Sequence, residues 1–339
     1  MEYFQNLNSN QEHIYVLAEI GINHDGDIKN AKNLITSCKD AGADGVKFQL
    51  IHPNTLLNSH VYEENNKMVN PVLSIFKKYI LNDNDYIELA NYCEKTGIDF
   101  LCTCFDEESV DLIDPYVKAH KIASGDITHI PLLKHIGSKN KPVILSTGMS
   151  DIHIIRQAVN AIKDGGGKQI ILLHCVSLYP PKDNEVNLNA IKALHEEFEL
   201  LVGFSDHSHD DLAAICSYCL GGRFIEKHVT YNKKALGADH AMSMEIQDFE
   251  QMISKLRRIQ VILGKNEKKE VGRETIIAKS AFRGVYAKIN IKKGDIFSKD
   301  NVLIARPSSC LKPIDFYTMD GKPSLRNIEA GDEIIHGDF

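Results

Sequence analysis

The stretch PVILSTGMSDIHIIRQAVNAIKDGGGKQIILLHC, Pro142–Cys175, decides the fold. It opens on a short apolar run, PVILS, and closes on another, QIILLHC (Gln169–Cys175). Both are rich in β-branched or large apolar residues, as strands buried on both faces require. Between them Ile152–Lys163 places apolar residues at helical spacing, and the glycines of DGGGK (Asp164–Lys168) form a loop into the second strand. Strand, helix and strand in this order make one parallel crossover unit.

The alternation extends both ways. Upstream lie IYVLAEI (Ile14–Ile20), GVKFQL (Gly45–Leu50), IDFLCT (Ile98–Thr103) and KAHKIA (Lys118–Ala123); downstream lie LLVGFS (Leu200–Ser205) and RFIEKH (Arg223–His228). Helical patterns separate them, at Ile28–Ala41, Asp85–Thr96, Asn187–Glu197 and Asp211–Leu220. Eight β/α steps over roughly 250 residues are the arithmetic of a (β/α)8 TIM barrel, class α/β. A doubly wound sheet shares the pattern, but no G-x-G-x-x-G follows the first strand. The barrel is expected over 1–265. GKNEKKEVGRET then turns polar, giving an expected linker at 266–280. Short strand-like runs and the turns Lys293-Gly294-Asp295 and Ala330-Gly331-Asp332 give a small β-rich domain at 281–339.

Composition excludes several functions. The 339 residues carry Lys+Arg 39 against Asp+Glu 46, a net charge of −7, so a nucleic-acid partner is not expected. No apolar run reaches the roughly 20 residues that span a bilayer, so no membrane partner is expected either. The N-terminal segment lacks a basic n-region and a small-residue cleavage site. The eight cysteines are scattered through apolar patterns, which fits reduced thiols in a cytoplasmic protein. Cys216-Ser-Tyr-Cys219 has redox spacing, but it sits in an apolar helix pattern without a second pair.

Barrel enzymes react at the C-terminal ends of their strands. Those ends read Glu19; Lys47 and Gln49; Thr103; Lys121, Ser124 and Asp126; Ser146; His174, Ser177 and Tyr179; Ser205 and His207; Glu226, Lys227 and His228. A purely structural barrel needs no such ring of polar ends. Two lysines with hydroxyls and glycine-bearing turns can hold a dianionic phosphate. Two histidines on adjacent strands suit a divalent ion in an open site, completed by water and substrate oxygen. A phosphate cradle beside an open metal site points to a phosphorylated substrate, a metal-activated carbonyl and carbon–carbon bond formation. Blander readings stand beside these. A strand-end Ser or Thr often caps local backbone, His174 is either a buried hydrogen-bonded histidine or a site residue, and Lys227 reads as a solvated strand residue.

These residues resemble the sialic (nonulosonic) acid synthases of the NeuB type. The matching segments are AEIGINHDGD (Ala18–Asp27), AGADGVKFQ (Ala41–Gln49), KIASGD (Lys121–Asp126), ILSTGM (Ile144–Met149), LLHCVSLYP (Leu172–Pro180), GFSDHS (Gly203–Ser208), IEKHVT (Ile225–Thr230) and GADH (Gly237–His240). FRGVYAKINIKKGDIFSKDNVLIARP (Phe282–Pro307) is similar to the family's antifreeze-like (SAF, β-clip) domain. The resemblance implies condensation of phosphoenolpyruvate with an open-chain N-acylated hexosamine, either N-acetylmannosamine or a 2,4-diacetamido-2,4,6-trideoxyhexose. By the family pattern Lys47, Thr103, Lys121, Ser124, Ser146 and Ser205 would hold phosphoenolpyruvate. His207 and His228 would bind the metal, Mn²⁺ before Mg²⁺ or Co²⁺. Glu19, Gln49, Asn70, Asp126, Tyr179 and Asp239 would handle the sugar or the water. Arg306 would reach the sugar across a domain-swapped homodimer.

The chain departs from that pattern at Leu50, Cys102, Cys104, Asp126, Ser177 and Ser308, positions mostly expected on the sugar side. The reaction type is therefore better fixed than the sugar. Two other readings remain open: a Schiff-base aldolase using Lys121 or Lys47, and a non-enzymatic ice- or carbohydrate-binding protein built on the β-rich tail.

Overall fold

Eight parallel strands form in chain order and pair with their sequence neighbours: β1 (Tyr15–Gly21), β2 (Gly45–Leu50), β3 (Asp99–Cys104), β4 (His120–Ile122), β5 (Val143–Ser146), β6 (Ile170–Cys175), β7 (Leu201–Asp206) and β8 (Phe224–Thr230). The ring closes where β1 pairs with β8, Glu19 opposite His228. The computed structural model describes residues 14–58 and 78–339. The expected (β/α)8 barrel is what the first unit, reaching to Gly264, forms; a second unit runs Lys265–Phe339.

Side-chain alternation sorts the strands into two environments. Val16, Ala18, Val46, Phe48, Phe204 and Ile225 pack outward against the helices. Tyr15, Leu17, Leu101, Ile144, Leu173 and Phe224 pack inward. At the barrel's N-terminal end the Tyr15 and Phe224 rings stack with centroids 4.8 Å apart. That stack leaves no room opposite. A Cβ on Gly45 would lie 2.3 Å from Tyr15 Oη, and one on Gly203 would lie 2.3 Å from the Phe224 carbonyl. The barrel floor is therefore solid, and only its C-terminal end is open to chemistry.

The helices begin where the sequence supplies caps. Asp27 accepts from the Lys29 amide at 2.7 Å ahead of Ile28–Asp40, and Asp151 accepts from the Ile154 amide at 2.9 Å ahead of Ile152–Asp164. Asn82 and Asp85 form a capping box for Asp83–Thr96. The helices Glu107–Ile113, Ile130–Ser138 and Ile246–Leu263 complete the set without having been singled out in sequence.

The second unit holds its own core, with Val285, Phe297, Leu311, Phe316, Met319 and Ile334 buried together. Its regular sheet is smaller than its strand-like runs suggest: β9 (Gly284–Ala287) pairs antiparallel with β10 (Val302–Ala305). Elsewhere isolated bridges such as Ile291 to Ile328 replace ladders. Both expected turns form, with Gly294 at φ +96° and Gly331 at φ +94°, a backbone state that glycine adopts without strain. The stretch read as linker is not all loop, because Glu274–Ala281 is helical.

Overpacking of a filled floor costs roughly 1–3 kcal/mol, and more where the obstacle is backbone. Gly203→Ala is expected to lower the urea midpoint by that order. An unchanged midpoint would show slack that the Tyr15–Phe224 stack does not leave.

Candidate active site

Seven of the eight strands, all but β3, point residues at or near their C-terminal ends into a cavity of about 630 Å³ at that end of the barrel. Glu19, Lys47, Lys121, Ser146, Cys175, Ser205 and Glu226 follow the inward layer by one alternation step, His228 follows by two, and His207 continues β7. The same period of two that fills the barrel floor therefore aims the polar ends into the site.

Four charges meet there, all buried. Lys47 Nζ lies 2.8 Å from Glu19 Oε2 and donates to Thr103 Oγ1 at 3.1 Å. Lys121 Nζ donates to Ser146 Oγ at 2.7 Å and to the Ile122 carbonyl at 3.2 Å, and sits 3.6 Å from Glu226 Oε2. Glu226 Oε1 accepts from Ser205 Oγ at 3.0 Å, and Glu19 Oε1 accepts from Gln49 Nε2 at 2.6 Å. Burial raises the carboxyl pKa of Glu19 above its ordinary value against the pull of Lys47. Glu226 is also penalised by burial, yet Lys121 and Lys47 hold it down at about 2. Burial lowers the pKa of Lys121, with Glu226 opposing. The cavity thus holds one carboxylate built to stay ionised and another poised to take a proton.

The histidines stand at the rim of this cluster, ring centroids 5.5 Å apart. Tyr179 lies over His207, with centroids 4.1 Å apart. His207 Nδ1 lies 2.8 Å from the Val176 carbonyl, which can only accept, so Nδ1 carries the proton and Nε2 keeps its lone pair. Burial works to lower the His207 pKa, but Cys175 and that carbonyl carry it above the ordinary value. Burial, with His207 and Lys47 adding to it, drives His228 well below its ordinary range, so it is a neutral imidazole. Its Nδ1 is buried without a hydrogen-bond partner among the described residues, 3.7 Å from Asp239 Oδ2. The neutral His228 with its unsatisfied nitrogen, and the Nε2 that His207 frees on losing its second proton, suit an ion whose other ligands are oxygen. Among the described residues no group of three His, Cys, Asp or Glu completes a closed site.

The other expected residues fall into three groups. Ser124, Gln49, Tyr179 and Asp239 line the cavity; Ser124 Oγ accepts from the Gly148 amide at 2.9 Å. Thr103 is buried behind Lys47 and does not line the cavity, so its hydroxyl meets the lysine and not the open space. Asp126 also does not line it; it ends the short turn Ser124–Asp126, where burial lifts its pKa to about 6. Arg306 is an exposed residue of the second unit, and Asn70 lies outside the described residues.

One open sequence reading is resolved and one is corrected. His174 faces away from the cavity, stacked on Phe204 at 5.7 Å and bonded to the Val186 carbonyl at 2.7 Å, so it is a core histidine. Lys227 is not solvated but 1% exposed, paired with Asp206. Glu226 was visible as a strand end and given no role; its place two residues before His228 was the signal that it shares the same face.

Fold and site together define a TIM-barrel enzyme with a polar, charge-paired reaction chamber. Comparison with known proteins narrows the class. The NeuB family model matches residues 34–268, and the chain belongs to that family. An uncharacterised protein of Methanocaldococcus jannaschii is 40% identical over 96% of this chain and 94% of its own length. The N,N'-diacetyllegionaminic acid synthase of Legionella pneumophila is 35% identical over 95% of this chain and 93% of its own length. Among solved structures, the N-acetylneuraminic acid (sialic acid) synthetase of Leptospira borgpetersenii in complex with citrate superposes with a TM-score of 0.71. It is 30% identical, covering 79% of this chain and 90% of its own.

The depressed Glu226 pKa carries a stability signature. A carboxylate held below its ordinary value of 4.5 contributes stability that is complete above that value and lost as pH falls toward about 2. The urea-midpoint gap between wild type and Glu226→Gln should be constant above about pH 5 and narrow between pH 4.5 and 3. A gap independent of pH would mean that Lys121 and Lys47 do not hold the carboxylate.

Proposed function

We propose that the protein is a nonulosonic acid synthase that condenses phosphoenolpyruvate with the open-chain aldehyde of an N-acylated hexosamine. The observation that carries the reading is the inward layer itself: a cradle of Lys47, Lys121, Ser124, Ser146 and Ser205 runs directly into the His207–His228 pair. The lysines and hydroxyls bind the carboxylate and phosphate of phosphoenolpyruvate and fix its C3 toward the histidines. C3 attacks the aldehyde carbon, and the aldehyde oxygen takes the proton of a neutral Glu19 carboxyl. Water adds at C2, and Glu19 takes the proton it gives up; the C2–O bond then breaks, releasing phosphate together with the remaining hydroxyl proton and leaving the 2-keto acid. His207 and His228 would hold a divalent ion, Mn²⁺ before Mg²⁺ or Co²⁺. When bound, it supplies a Lewis acid for the aldehyde. Tyr179, Gln49 and Asp239 shape the sugar end. The apolar residues Ile22, Ala238 and Met242 beside them favour a deoxygenated sugar, a 2,4-diacetamido-2,4,6-trideoxyhexose, over N-acetylmannosamine.

Phosphate release from phosphoenolpyruvate is expected to require both a hexosamine and a divalent ion, and to be fastest with the diacetamido sugar. His207→Ala and His228→Ala are expected to abolish turnover while phosphoenolpyruvate still binds. Full activity after metal stripping in excess chelator sinks the reading. The lowered Lys121 pKa favours one rival, an imine-forming aldolase, because a neutral amine is the nucleophile that chemistry needs. Borohydride trapping of a pyruvyl adduct on Lys121 would establish it in place of the first reading. A domain-swapped homodimer, with Arg306 from a second copy at the sugar, completes the proposal. Arg306→Ala should then raise KM for the hexosamine and leave that for phosphoenolpyruvate unchanged.

A further inference from the structure

Between the cavity-lining residues of β7 and β8 lie two that face the other way. Ser205, His207, Glu226 and His228 line the cavity, whereas Asp206 and Lys227 do not. They sit opposite each other in the strand register, each 1% exposed. Lys227 Nζ donates to Asp206 Oδ2 at 2.8 Å, to the Ser208 carbonyl at 2.6 Å and to the Asp210 carbonyl at 3.0 Å. Asp206 Oδ1 accepts from the Ser208 amide at 2.8 Å. The three ammonium protons thus reach across from the residue beside His228 and hold the chain both before and after His207.

We propose that Lys227 is a positioning residue that sets the spacing of His207 and His228, an inference that rests on reading those histidines as metal ligands. A buried ion pair is a poor device for stability alone, because apolar residues of similar volume serve as well or better. What the pair adds is direction. Apolar packing tolerates sliding, whereas three bonds from one nitrogen to a carboxylate and two carbonyls fix the turn at Ser208–Asp210 against β8. The backbones of the two histidines are thereby set before any ion arrives, which is how partners behind the ligands govern metal affinity.

The test is Mn²⁺ binding to metal-free full-length protein, measured by equilibrium dialysis alongside Tm. Lys227→Met should lower Tm, because it leaves the Asp206 carboxylate buried without its cation. The double variant Asp206→Asn/Lys227→Met removes both charges and keeps an acceptor for the Ser208 amide, so Tm should recover. Mn²⁺ should still bind it about 10-fold more weakly than wild type. Lys227→Arg keeps the charge but cannot gather the same three acceptors around one nitrogen, and it should also bind Mn²⁺ more weakly. Wild-type Mn²⁺ affinity in whichever of these variants folds overturns the proposal and leaves the pair a purely structural feature. A wild-type protein that binds no Mn²⁺ overturns the metal reading and this proposal with it.

Discussion

A lysine inside a barrel is tolerated only where a carboxylate faces it, and this site is organised around two such lysines side by side. Lys47 has Glu19 at 2.8 Å and Lys121 has Glu226 at 3.6 Å, all four side chains sealed from solvent. In a chain of net charge −7, the proposed anionic substrate calls for local positive charge at Lys47 and Lys121. The lysines are there, but each is already matched. An incoming phosphate or carboxylate therefore competes with Glu19 and Glu226 for the same ammonium groups. Glu19 can yield: burial raises its pKa, so a proton can neutralise it and release Lys47 to a ligand. Glu226, held at about 2, keeps its charge and its place. The asymmetry between the two carboxylates lets one cluster be stable when empty and still accept an anion.

The same alternation that makes a barrel makes this cluster. Inward positions one step lower on the strands are Leu17, Leu101, Ile144 and Leu173, a dry layer over the Tyr15–Phe224 stack. That layer closes the site from beneath and lowers its effective dielectric, which strengthens every pairing above it. Function and stability are thus adjacent layers of one repeat. Cys175 belongs to the polar layer by position, its Sγ 3.9 Å from His207 Nδ1.

The barrel is legible because its signal is redundant: eight apolar runs survive boundary errors of up to two residues. Helix ends move most, as at Asn187–Glu197, which forms Ala190–Phe198, since apolar spacing does not carry the left-handed backbone at Asn187 and Glu199. The site was legible as a set of strand ends, but which end residue faces inward was not weighed. His174 stays open and Lys227 is misread for that reason alone. Each is one step out of phase with a cavity residue, His174 with Cys175 and Lys227 with both Glu226 and His228. Applying the period of two outward from Lys47 and Glu226 would have placed both on the helix side. Thr103 has the right phase and still misses the open cavity, because Lys47 lies over it, a matter of side-chain length that periodicity does not carry. In the β-rich second unit, which runs pair as a ladder is not legible, because short β-branched runs bounded by glycine look alike whether they form ladders or single bridges.

The closing seam of the barrel is tied by a run of hydrogen bonds, and it carries Glu19, His228 and Asp239. Asn23, just past β1, donates to the Val229 carbonyl and to Ser243 Oγ, both at 2.8 Å. Ser243 in turn donates to the Asp239 carbonyl at 2.6 Å. His240 bridges Thr230 Oγ1 at 2.8 Å and Asp25 Oδ1 at 3.1 Å. The loops after β1 and β8 are therefore sewn into one piece, with Asp239 suspended between them beside His228. On the opposite flank Lys227 ties β8 to the turn after β7. β8 is thus gripped from both neighbours at the level of His228, by a hydrogen-bond network that ends on the Asp25 carboxylate on one side and by a buried lysine on the other. A residue meant only to fill space would need neither; the proposed role of His228, a ring that meets an ion at a set distance, calls for both.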